Sequence, residues 1–115
     1  MADHKELGKI ASYDVGIGGY QDAMLGIHII FEGKGWGVGT DECYWSPSII
    51  QVSEHTKWTE KDRSKAFDKI MRSIDKTLSE AKVKRTQDLV GIPVEITLDG
   101  PFGNIKSWRI LTEVL

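Results

Sequence analysis

The sequence predicts an α+β fold: an antiparallel sheet of about five strands, one long helix packed on one face, and a short helical turn before a C-terminal hairpin. Three observations predict it. The stretch Thr59–Lys82 carries apolar residues at three- and four-residue steps, with no glycine or proline inside. Runs on both sides of it alternate apolar and polar residues with period two. Breaks rich in glycine or proline separate those runs. At 115 residues the chain is long enough for one hydrophobic core, so a single domain over 1–115 is expected.

In the helix, Ala66, Phe67, Ile70, Met71, Ile74, Leu78 and Ala81 fall on one stripe. Thr59 is an N-cap candidate, and Glu60 and Asp62 place negative charge at the positive end of the helix dipole. Such a helix is roughly 35 Å long, enough to cross a small sheet.

The strands follow in order. Ala11, Tyr13, Val15 and Ile17 alternate with small or polar residues and stop at Gly18-Gly19, a turn. Ala23–Phe31 is apolar on both faces, with Leu25, Ile27, Ile29 and Phe31 on one and Met24, Gly26, His28 and Ile30 on the other. One helix covers one face, so the second face calls for a partner, most simply another copy of the chain. His28 lies on that second face and reads as a packed, hydrogen-bonded histidine. Glu32-Gly33-Lys34-Gly35 is a hairpin turn. In the next strand Trp36, Val38 and Thr40 share a face whose reverse is only glycine, a place for close approach of a ligand, a subunit or the helix. Tyr44–Pro47 reads as a turn and Ser48–Val52 as a short strand. Beyond the helix, Thr86 is expected to cap a short helical turn ending at Gly91. Ile92–Leu98 and Ile105–Leu111 make the last hairpin around Asp99–Asn104. Arg109 is flanked by apolar residues on its own face, which predicts a partly buried guanidinium with a carboxylate or phosphate partner.

Net charge is −2, so bulk electrostatics favours neither nucleic acid nor membrane. Lys57–Arg85 nevertheless carries ten basic and five acidic residues, +5, against −7 elsewhere. A solvated helix with i, i+4 pairs such as Asp68 with Arg72 accounts for this. The one cysteine, Cys43, rules out an internal disulfide and fits a reducing cytoplasm. The polar N-terminus reads as neither signal peptide nor transmembrane span. His4, His28, His55 and Cys43 lack metal-ligand spacing. There is no Gly-x-Ser-x-Gly, His-Glu-x-x-His or Walker motif, and the acids form no recognisable acid/base set. A non-enzymatic binding protein without metal or cofactor is expected. Aromatic residues with arginines and glycine-backed strands suit a nucleotide.

Several segments carry a family resemblance: Gly18–Gly26, Trp36–Val38, Trp58–Ser64, Leu89–Thr97 and Ser107–Leu115. Together they resemble small phage proteins of the Thoeris anti-defence 1 family. The resemblance implies a sponge that binds the cyclic ADP-ribose isomers of the bacterial Thoeris system without cleaving them. It also implies action in the host cytoplasm, a homo-oligomer with pockets between subunits, and possible binding of cyclic oligonucleotides. It does not transfer a pocket residue by residue, so site candidates follow from side-chain chemistry. These are Arg109, Lys84 and Arg85 for the diphosphate, Thr86 with Gln21 or Asp22 for hydroxyls, and Met24 or Tyr20 against the base. Phe102 and Asn104 on the last turn complete the set. Two other classes remain open at this point: a small nucleic-acid-binding protein using the basic helix, and a phage assembly accessory protein.

Overall fold

A computed structural model describes residues 3–101 and 103–115. Five strands form one antiparallel sheet in the order β3-β2-β1-β4-β5: β1 His4–Gly18, β2 Met24–Gly33, β3 Trp36–Trp45, β4 Pro93–Leu98 and β5 Ile105–Ile110. A long helix, α1 (Glu60–Ala81), lies across one face. Short 3-10 turns occupy Tyr20–Asp22, Thr86–Leu89 and Thr112–Val114.

The central strand explains the layout. Its C-terminal part pairs with β2 (Lys9 to Gly18) and its N-terminal part with β4 (His4 to Lys9). The two hairpins are therefore staggered. The β1–β2 turn sits at one end of a 15-residue strand and the β4–β5 turn at the other, roughly 45 Å apart at the usual rise of a strand. An extra residue between Ile10 and Ser12 bulges the strand and resets its alternation. Ile10 and Tyr13 consequently both face the core, although they are an odd number of positions apart.

The core lies between α1 and one face of the sheet. Ile27, Ile29 and Phe31 of β2 meet Ile10 and Tyr13 of β1, Val94 and Ile96 of β4, Ile110 of β5, and Ile70 and Ala81 of α1. Trp108 tilts against Phe31 with ring centroids 5.1 Å apart. Trp36 packs over Gly8 and Gly33, where a Cβ would run into its ring. Thr59 caps α1 in a full capping box with Asp62. Lys82 closes the helix in the left-handed conformation, φ 60°.

Several expectations are corrected. Met71 is 65% exposed rather than packed, and Arg63 and Thr77 are buried on the helix instead. Ser48–Val52 is loop, because the Arg63 guanidinium, stacked 4.7 Å from the Trp58 ring, takes the Ile50 carbonyl. Tyr44 and Trp45 belong to β3, so the turn begins only after them. β1 starts at His4, well before the alternating run. Thr86 is the first residue of its 3-10 turn, not the cap; Arg85 holds that position.

Candidate functional site

The face of the sheet opposite α1 has no covering element among the described residues. Cross-strand register places Ser12, Asp14, Gly16 and Gly18 of β1 beside Ile30, His28, Gly26 and Met24 of β2. Gly39, Asp41, Cys43 and Trp45 of β3 continue those rows. The predicted all-glycine reverse of the Trp36 strand is thus the open side, and Ile30 stands 52% exposed upon it.

A concavity of about 530 Å³ lies here, with Ser12, Asp14, His28, Ile30, Gly39 and Asp41 in its wall. His28 is fixed by two contacts, Nδ1 to Asp41 Oδ1 at 2.8 Å and Nε2 to the Gly16 carbonyl at 3.1 Å. The hydrogen-bonded histidine expected from sequence is present. Its acidic partner was not foreseeable, because Asp41 meets it only through the β2–β3 register. Cys43 lies beside this surface, and burial followed by the Asp41 charge pushes its thiol up.

Gly18 and Gly19 also line the concavity, which joins it to the β1–β2 turn. That turn is unusual. Gly19 (φ 66°), Gln21 (φ 57°) and Asp22 (φ 50°) all have a positive φ. Two of these are not glycine, a cost of order 1–3 kcal/mol each that persists only where the surroundings impose it. The turn is closed by Asp22 N–H to the Gly19 carbonyl and Ala23 N–H to the Tyr20 carbonyl. Its geometry leaves Tyr20 68% exposed, its ring edge-on to Trp45 at 6.1 Å. Met24, half-buried, packs against Gly19 from below.

Tyr20, Gln21, Asp22 and Met24 are therefore one constellation. The other candidates are elsewhere. Lys84, Arg85 and Thr86 sit at the junction of α1 and β4; the two cations are exposed and make no ion pair among the described residues. Asn104 belongs to the β4–β5 turn, its carbonyl accepting from the Asp99 N–H. Phe102 lies outside the described residues. Arg109 shares the open face, but on the far half of the sheet, in the row of Glu95 and Leu7. Its expected partial burial is not found: the residue is exposed. Its partners are carboxylates of the chain itself. Nε donates to Glu95 at 3.2 Å, and Nη1 and Nη2 donate to the two oxygens of Glu113 at 3.1 Å each. The Glu113 bonds, then Glu95, raise the guanidinium pKa further, and Arg109 holds the Glu113 carboxyl below its usual range.

No family model matches this chain, and no curated protein or solved structure matches it. Among the described residues there is no metal-ligand cluster and no helix long and apolar enough to cross a membrane.

Proposed function

We propose that this protein is a stoichiometric binder of cyclic ADP-ribose-type nucleotide signals, sequestering the Thoeris alarm molecule in the infected host cytoplasm without cleaving it. The reading starts from the five segments of resemblance. Much of their sequence is core, including Trp36, Leu89, Val94, Ile96 and Ile110. The Gly18–Gly26 segment is different, and it carries the proposal. Its strained turn holds an exposed tyrosine and two polar side chains at the rim of an open concavity. Strain combined with exposure of an aromatic ring suits ligand contact better than packing.

In this reading Tyr20 stacks on the purine, Met24 and Trp45 support it, and Gln21 or Asp22 takes hydroxyls. The diphosphate needs cations, and the concavity's wall has no lysine or arginine. Lys84 and Arg85 of a second copy would supply them, which makes the working unit a homo-oligomer. Sequestration by stoichiometry calls for a nanomolar constant, about −12 kcal/mol.

The test is calorimetric titration with cyclic ADP-ribose isomers, followed by denaturation and recovery of the ligand. Tight binding with the ligand returned unchanged supports the proposal. Turnover of the ligand, or salt-dependent binding to random DNA with no heat from any isomer, rejects it.

A further inference from the structure

The open-face concavity has a chemistry of its own. Two carboxylates, Asp14 of β1 and Asp41 of β3, face it from either side of β2, with the Ser12 hydroxyl beside them and no lysine or arginine in the wall. Asp41 spends one oxygen on His28 Nδ1, which leaves its other oxygen free. The His28 ring cannot swing, because Nε2 is held at the Gly16 carbonyl. The floor beside this group has no side chain: a Cβ at Gly39 would meet nothing closer than the Ile29 carbonyl at 3.4 Å. A ligand ring can therefore reach the backbone without displacing protein atoms.

Two carboxylates with only one imidazole and no lysine or arginine beside them repel a phosphate and favour a neutral group rich in donors. We propose that this concavity takes a sugar cis-diol, the carboxylates of Asp14 and Asp41 accepting hydrogen bonds from vicinal hydroxyls. His28 acts as a positioning residue that aims Asp41. A volume of about 530 Å³ is ample for a nucleoside-sized group. The inference deepens the nucleotide-binding reading and rests on it for the identity of the sugar, a ribose. It divides the ligand: ribose hydroxyls on the sheet, phosphates elsewhere.

The test is amide NMR of the full chain with adenosine, 2′,3′-dideoxyadenosine and cyclic ADP-ribose. Adenosine should shift the Gly18, His28 and Gly39 amides and bind about tenfold tighter than the dideoxy compound, since unpaired acceptors penalise the missing hydroxyls. Asp41→Asn should lose most of that preference with melting unchanged. His28→Gln should reduce the preference too, which a merely structural histidine would not do. Equal affinity for the two nucleosides, or shifts confined to other surfaces, overturns the diol site. The nucleotide-binding proposal fails separately. Adenosine shifts on the sheet without tight cyclic ADP-ribose binding would keep the diol site and reject the sponge. Tight cyclic ADP-ribose binding that leaves these amides unmoved would do the reverse.

Discussion

Strand β2 has two faces of similar composition and opposite fates. Ile27, Ile29 and Phe31 vanish under α1, while His28 and Ile30, one residue away, stand on an uncovered surface. The difference is supplied by the strands on either side. On the covered face the neighbours are bulky: Tyr13 of β1, and Val38 and Trp36 of β3. On the open face they are Gly16, Gly39, Asp14 and Asp41. An apolar strand thus marks a buried surface only when its neighbours are apolar too. Where they are glycine and aspartate, the same pattern leaves a hollow with acceptors in its wall.

The largest effect should separate the two faces by stability. Phe31→Ala removes a fully buried ring against Trp108 and is expected to cost about 3–5 kcal/mol in urea unfolding. Ile30→Ala should change the same measurement by no more than about 0.5 kcal/mol at low protein concentration. A large, concentration-dependent cost at Ile30 would mean a second copy covers the open face.

The glycines sharpen the contrast. Gly33→Ala drives a methyl into the Trp36 ring and should destabilise the protein clearly in thermal melting, by about 1–3 kcal/mol. Gly39→Ala meets only ordinary contact at 3.4 Å and should be neutral or stabilising, by up to about 1 kcal/mol. Equal losses at both positions would break the distinction.

Titration gives a further separation. On the covered face the Tyr13 hydroxyl is buried next to Thr77 without a hydrogen bond of normal geometry, and burial raises its pKa. Its contribution is fully present below the ordinary phenol value near 10.0 and is lost as pH rises through the raised folded value. Alkaline unfolding should therefore flatten in Tyr13→Phe. The smallest effect belongs to the open face. Glu113, lowered mainly by its bonds to Arg109, stabilises above its unfolded value of 4.5 and loses that contribution as pH falls through the folded one. Both groups are exposed, so salt should weaken this acid dependence, and Arg109→Ala should abolish it while barely moving the melting midpoint.

Local signals were the legible ones. The α1 stripe and its Thr59 cap follow from periodicity and a local capping box, and the Gly18-Gly19 break announces the turn that holds Tyr20–Met24. Met71 misled because a helical stripe does not say how far the sheet extends beneath it. The N-terminal half of β1 was hidden: Leu7 points outward while Glu6 and Gly8 take the core-side positions, and the bulge at Ala11 breaks the period. The His28–Asp41 contact and the Arg109–Glu95 pair depend on cross-strand register, which no local pattern encodes. The separation of the site candidates into distant groups has the same origin, the stagger of the two hairpins on β1.

The most direct measurement is a side-by-side calorimetric titration of wild type and Gly39→Val with cyclic ADP-ribose isomers, with melting recorded for both. A valine at position 39 fills the open-face hollow without touching the core. The expected result is an unchanged or higher melting temperature and a loss of binding of a hundredfold or more, on the order of 3 kcal/mol. Equal affinity in the two proteins, or no heat from either, would contradict the assignment of function to the uncovered face.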